Sequence, residues 1–206
     1  MKWDYEFDVV VIGSGNGALT SALCSHDGGA KTLVIEKSTQ FGGTSATSGG
    51  GVWIPNNRYA KAKNVDDSDQ DARNYINSVS PPGKIKDELI ETYLSEGPKM
   101  VDYLHENSQV KYRNLAHYPD YFPDNPGGKA GNRSMEPEPI NGTILGDDLG
   151  RLREQHPQTA FTMGPINMNF TQVEGQLLLG ALPGWKTQFA KLFTKYILDI
   201  PMRLKW

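Results

Sequence analysis

A chain of 206 residues and 22.8 kDa, 37% hydrophobic and carrying 22 glycines, has enough apolar material for a buried core, which excludes global disorder. Its 21 basic and 24 acidic side chains leave a formal charge of −3, and the lack of a basic surplus argues against a dedicated nucleic-acid binder. A single cysteine, Cys24, excludes an intrachain disulfide and a thiolate-rich metal site, and no stretch approaches the ~18 consecutive apolar residues of a membrane span. With acidic residues at the start (Asp4, Glu6, Asp8) where a secretory signal would be basic, the sequence predicts a soluble, cytoplasmic protein.

In chain order, residues 7–12 form a β-branched run that ends at Gly13 and predicts a strand buried on both faces of a parallel sheet. Residues 16–25 carry Ala18, Leu19, Ala22 and Leu23 at helical spacing, stopped by Gly28-Gly29. Residues 32–35 read as a second buried strand with Glu36 at its carboxyl end, which completes a βαβ unit. Residues 40–51 are rich in glycine, serine and threonine and predict a loop.

Ser68 is a predicted N-cap, with Asp71 three residues on, for a helix broken at Ser80-Pro81-Pro82-Gly83. Leu89, Ile90, Tyr93, Leu94, Met100, Val101 and Leu104 mark a further helical stretch, interrupted or kinked at Gly97-Pro98. Residues 110–113 suggest a short strand, and the proline- and glycine-rich residues 117–142 a long ordered loop or lid. From Trp185, apolar residues including Phe189, Leu192, Phe193, Tyr196, Ile197 and Ile200 repeat at helical spacing against Lys186, Lys191 and Lys195. That stripe predicts a helix whose uncovered apolar face packs, self-associates or lies on a membrane surface, packing being preferred.

The chemistry concentrates at the first turn. Gly13-Ser14-Gly15-Asn16-Gly17-Ala18 fits G-x-G-x-x-G/A between a strand and a helix, the pattern that brings backbone N–H groups against a pyrophosphate. Glu36 is placed to accept from the hydroxyls of an adenosine ribose and disfavours a 2′-phosphate by charge repulsion. The bland alternative is a glycine turn that binds nothing. The loop after Lys37 offers backbone N–H groups and hydroxyls with little bulk and can wrap a cofactor as long as FAD; an NAD fold more usually spends this stretch on a crossover helix. A flexible linker is the competing reading.

These residues, Val9 to Ala18 with Glu36-Lys37 and Phe41-Gly42-Gly43-Thr44-Ser45-Ala46-Thr47-Ser48-Gly49-Gly50-Gly51-Val52-Trp53-Ile54-Pro55, resemble the amino-terminal signature of the FAD-dependent flavoproteins related to fumarate reductase and succinate dehydrogenase. Within that superfamily the resemblance narrows to the 3-ketosteroid 1-dehydrogenases. It does so through Tyr118-Pro119-Asp120-Tyr121-Phe122-Pro123, Pro126-Gly127-Gly128 and Gly131-Asn132-Arg133-Ser134-Met135-Glu136-Pro137. The resemblance implies an α/β fold with a Rossmann-like FAD-binding domain, incomplete here because members of the family are more than twice as long. Residues 1–60 then form the first part of that domain and residues 61–206 a helical, loop-rich continuation.

The implied activity is removal of two hydrogens from neighbouring carbons of a hydrophobic 3-ketosteroid: a proton from carbon 2, a hydride from carbon 1 to FAD. Tyr121 matches the tyrosine that assists the proton-abstracting tyrosine, and a phenol, with a pKa near 10, needs such a partner. The cofactor contacts implied are Gly13, Ser14, Gly15, Asn16, Gly17, Ala18, Glu36, Lys37, Gly43, Thr44, Ser45, Ser48, Gly49 and Gly50. Two side-chain alternatives stay open: Tyr118, Tyr121 and Phe122 as an aromatic cluster anchoring their loop, and Ser48 as a donor to its own backbone rather than to the flavin. Two competing functions also stand. One is a dicarboxylate enzyme of the fumarate reductase type, which needs arginine clamps, and Arg58, Arg113 and Arg133 show no pairing in sequence; the other is a non-catalytic dinucleotide-binding module. The four histidines lack metal-ligand spacing and read as non-catalytic surface or loop residues.

Overall fold

The computed structural model describes residues 3–156, 162–163, 166–167 and 171–203. It contains two compact units that do not follow the linear order, one drawn from Met1–Gly50, Asn141–Phe170 and Glu174–Trp206, the other from Gly51–Ile140 and Thr171–Val173.

The first unit opens with the expected βαβ element. Strand β1 (Val9–Ile12) pairs in parallel with β2 (Thr32–Ile35), Val9 opposite Thr32 and Ile12 opposite Ile35, and helix α1 (Asn16–Asp27) lies against both. Helix α1 ends where Gly28 donates its N–H to the Cys24 carbonyl (3.0 Å). The strands depart from expectation in burial: Val10 is 51% and Ile12 81% exposed. Among the described residues β1 and β2 form a two-stranded sheet, and α1 covers one face of it, so the alternate face of β1 stays open. Within the stretch expected to be a loop, Gly43–Thr47 wind into a short helix, α2.

The second unit is built on a three-stranded antiparallel sheet and three helices. Strand β3 (Val52–Trp53) leads to helix α3 (Arg58–Lys61), then α4 (Asp69–Val79) and α5 (Asp87–Asn107), and strands β4 (Tyr112–Asn114) and β5 (Ser134–Pro137) follow. Strand β5 lies between the other two, Met135 facing Val52 on one side and Asn114 on the other. Local sequence hides β5, because its neighbours are prolines and glycines; what makes it a strand is pairing with residues far along the chain and complete burial of Met135. Asn57 is fully buried and satisfied: its Oδ1 accepts from the N–H groups of Tyr59 (3.1 Å) and Ala60 (3.0 Å), and its Nδ2 donates to the carbonyls of Ile54 (2.8 Å) and Asn132 (3.0 Å).

Helix α4 starts as the sequence indicates, the Ser68 hydroxyl accepting from the Asp71 N–H at 3.0 Å. Helix α5, by contrast, runs unbroken through Pro98. A proline inside a helix costs about 3 kcal/mol because the Leu94 carbonyl loses its donor. Burial of Ile90, Leu94, Val101 and Leu104, each worth roughly 1.5–3 kcal/mol, outweighs that cost. Gly97 packs against Ile54, where a Cβ would make ordinary contact with Cδ1 at 3.4 Å. The core joins the helices where Ala72 of α4 meets Ile90 and Leu94 of α5, with Ile76 against them.

The chain then continues as a 3-10 segment (Gly142–Arg151), a small antiparallel pair β6 (Thr162–Met163) and β7 (Ile166–Asn167), and helices α6 (Gln172–Leu179) and α7 (Trp185–Arg203). Helix α7 is the predicted carboxyl-terminal helix. Leu192 is buried, while Phe193 and Ile197 remain 43% and 48% exposed. No helix among the described residues is long and apolar enough to cross a membrane.

Replacing Ser68 with alanine leaves the Asp71 N–H without its acceptor. The expected loss is about 1 kcal/mol of stability, read as a lower urea midpoint with unchanged slope.

Candidate functional site

The chain leaves β1 through Gly13, whose φ of 95° is one that side chains rarely adopt and whose N–H donates to the Ile35 carbonyl at 2.7 Å. Ser14 follows and is buried (3% exposed). Its hydroxyl donates to Glu36 Oε2 at 2.5 Å and accepts the Gly42 N–H at 2.9 Å, so one oxygen ties the first turn to the end of β2 and to the loop beyond it. Gly42 has φ 105°, and a Cβ there would lie 2.6 Å from Ala46 Cβ, which makes glycine obligatory at the start of α2. One turn later the Ser45 hydroxyl accepts the Asn16 N–H at 3.0 Å.

The sequence stretch that a linker reading would leave flexible is therefore seated on the first turn. It is held at its other side as well: Phe41 donates to the Arg151 carbonyl and accepts from the Arg153 N–H, both at 2.9 Å.

Glu36 has four lone-pair sites on its two oxygens. Ser14 occupies one and the Ser38 N–H (3.0 Å, to Oε1) another, which leaves acceptor capacity for two sugar hydroxyls. The Ser14 hydroxyl first, then the Ser38 N–H, hold this carboxyl below its ordinary 4.5, so it is an acceptor at neutral pH. The first turn of α1 carries no acidic side chain, and the space beside Gly13 and Gly17 is open. Backbone N–H groups at that turn, the Ser45 hydroxyl proton and the Glu36 carboxylate thus offer an anion site beside a diol site, the donor set an adenine dinucleotide requires.

The remaining sequence-nominated residues are less central. Gly15 lies against Ser45, and Gly43 against Gly15, both 3.5 Å from the Cβ position. Ala18 is partly buried in α1, and Gly17, Lys37, Thr44 and Gly49 are exposed. Ser48 donates to the Ser45 carbonyl (2.9 Å) and accepts from the Gly50 N–H (3.1 Å), so its hydroxyl satisfies its own loop.

In the second unit Tyr121 is 83% exposed and Phe122 58% exposed. They do not form the buried cluster that would anchor the loop. The anchor is Asp120 with Arg133, a buried pair that sequence reasoning did not single out, although both residues lie within the segments that carried the family resemblance. Tyr118 is partly buried, which pushes its phenol above the ordinary 10.0; the charge of Tyr121 and a hydrogen bond with Tyr121 act in the same direction. The three arginines considered as carboxylate clamps all have partners within this unit: Arg58 with Asp102 and Glu106, Arg113 with Glu136, and Arg133 with Asp67 and Asp120. His105 lies in α5, partly buried, with its ring 2.8 Å from the Tyr59 hydroxyl.

Comparison with known proteins points to the same cofactor. Residues 8–186 match the family model described as FAD binding domain. The chain is 40% identical over 164 residues to the 3-oxosteroid 1-dehydrogenase of Mycobacterium tuberculosis, covering 79% of this chain and 28% of that protein. It is 39% identical over 158 residues to the 4-oxocyclohexanecarboxylate 2-dehydrogenase of Sinomonas cyclohexanicum, covering 76% and 27%. Among solved structures, the 3-ketosteroid delta1-dehydrogenase from Sterolibacterium denitrificans in complex with 1,4-androstadiene-3,17-dione superposes with a TM-score of 0.86 at 40% identity, over 97% of this chain and 35% of that one. This chain belongs to the FAD-binding domain family, and it spans about a third or less of the length of these relatives.

Two outcomes follow for the cradle. Glu36→Ala removes the carboxylate expected to accept from a ribose diol and should weaken FAD binding roughly tenfold or more in a fluorescence titration. Because the Glu36 carboxyl titrates below 4.5, its contribution is complete above that pH and is lost as pH falls through the lowered value. Ser14→Ala should move the onset of acid release of flavin upward, toward pH 4.5.

Proposed function

We propose that the chain serves an FAD-dependent oxidoreductase that desaturates the ring carbons next to the ketone of a 3-ketosteroid. The observation that carries this reading is Tyr121: an exposed phenol on a loop fixed by buried groups, in a chain that also builds a dinucleotide cradle. The likeness to enzymes named for ring ketones supports the same chemistry.

The residues proposed to hold the cofactor are Gly13 to Ala18, Glu36, and Gly43, Thr44 and Ser45, with Ser14 as the brace and Ser48 to Gly50 shaping the loop. FAD, when bound, supplies the acceptor for the hydride that leaves carbon 1. The ketone makes the carbon 2 hydrogen acidic, and Tyr121 assists its removal as a proton. Tyr118 supports that role, because burial and the neighbouring Tyr121 push its phenol above the ordinary value, so it keeps its proton beside Tyr121.

A dicarboxylate substrate is disfavoured, since Arg58, Arg113 and Arg133 are each paired with carboxylates of the chain's own second unit. A cytoplasmic location suits the unpaired thiol of Cys24. The open apolar residues of α7, Phe193 and Ile197 among them, are proposed to be covered by association.

Dye-coupled oxidation of 4-androstene-3,17-dione by the full-length protein tests the reading. Tyr121→Phe should lower turnover by about 10²-fold with flavin content unchanged. Flavin retention without turnover of any ketosteroid would instead indicate a binding module. Oxidation of 4-oxocyclohexanecarboxylate alone would keep the ketone chemistry and remove the steroid.

A further inference from the structure

The phenol of Tyr121 stands in solvent, yet the backbone on both sides of it is fixed by buried groups. On the amino side, Asp120 is 5% exposed and accepts hydrogen bonds from Trp53 Nε1 (2.7 Å), Arg133 Nη1 (2.8 Å) and the Lys129 N–H (3.0 Å). Its own N–H donates to the Lys129 carbonyl at 2.9 Å. On the carboxyl side, the Phe122 N–H donates to the Tyr75 hydroxyl at 3.3 Å.

Arg133 is itself locked. It is 1% exposed, grips Asp67 through Nη2 (2.7 Å) and Nε (3.1 Å), and places its guanidinium carbon 5.5 Å from the Trp53 ring and 5.8 Å from the Tyr75 ring. Asp67 is held in turn by the N–H groups of Ser68 (3.0 Å) and Asn56 (2.9 Å).

Two buried carboxylates against one guanidinium are a costly way to stabilise a fold, and apolar residues of the same volume often serve as well. What such a network supplies is direction, because each bond permits one register of the loop. Here the side chain presented by that register is Tyr121. The geometry points to Trp53, Asp120 and Arg133 as positioning residues that set the Tyr121 phenol for its part in proton removal. This inference rests on the role given to Tyr121 under the proposed function.

Trp53→Phe removes the indole donor while keeping a ring for Arg133, and Asp120→Asn keeps the shape while removing the charge. In the full-length enzyme both should lower kcat roughly 10- to 100-fold, the scale of a misplaced reacting group, with the steroid KM and flavin content unchanged. Hydrogen exchange at the Asp120 and Phe122 amides, whose bonds to the Lys129 carbonyl and the Tyr75 hydroxyl seat the loop, should accelerate. On a Tyr121→Phe background neither change should lower kcat further, since both act through that phenol.

Wild-type kcat in Trp53→Phe despite faster exchange would overturn the inference. So would full additivity with Tyr121→Phe, which marks a structural role. Should Asp120→Asn fail to fold, Trp53→Phe and Arg133→Lys decide the matter, because lysine cannot reproduce the fork to Asp67. Wild-type turnover in Tyr121→Phe alone would instead bring down the role of Tyr121, and this inference with it.

Discussion

The hydroxyl of Ser14 is the point on which the cofactor cradle depends. A serine oxygen can donate once and accept twice, and this one spends its proton on the Glu36 carboxylate and a lone pair on the Gly42 N–H. The turn after β1 is thereby held, around one buried atom, to the residue following β2 and to the loop that leads into α2, 22 and 28 residues further on. The short bond to a carboxylate is of the charge-assisted kind, roughly twice as strong as a neutral one. It also lowers the pH at which Glu36 takes up a proton, and it orients the group that would meet a ribose before any ligand arrives. Ser45, bonded to the Asn16 N–H, repeats the arrangement at the helix terminus.

The second unit solves a different problem by related means. Its loop of prolines and glycines has few side chains able to pack, and the most apolar of them, Tyr121 and Phe122, face solvent. Order comes from charge buried beneath the loop, where Arg133 joins Asp67 to Asp120 and the Trp53 indole completes the carboxylate shell. Breaking such a pair by removing one partner costs about 3–5 kcal/mol, because the other charge is left buried. The cost of disorder in this loop is thus moved onto residues that never reach the surface. Glu136, also buried, plays a comparable part, accepting from Arg113 and from the N–H groups of Gln172 and Val173.

Much of this was readable from local pattern. The βαβ start, the N-cap at Ser68 and the long carboxyl-terminal helix each express a rule that acts within a few residues: alternation, capping, helical spacing. The misreadings have equally local causes. Gly97-Pro98 predicts an interruption or kink, but four buried side chains carry α5 past it at the loss of one hydrogen bond. Strand β5 sits among prolines that argue against a strand, and only its partners on both sides make it one. The apolar run of β1 predicts cover on both faces, whereas among the described residues its sheet has two strands and α1 covers one face.

By itself the sequence determined that a strand, a glycine turn, a helix and an acidic strand end would come together in the pattern of a dinucleotide site, because those requirements are carried by backbone freedom and spacing over some thirty residues. It also marked Tyr121 and Glu36 as chemical groups of interest. Only the tertiary structure decided that Ser14 is a brace, that Ser48 bonds its own loop, and that Arg133 holds Asp120 beneath the tyrosine instead of clamping a substrate. Ser14 reaches its partners across 22 and 28 residues, and Arg133 reaches Asp120 across 13 and Asp67 across 66; such pairings are set by how the chain packs, not by any pattern along it.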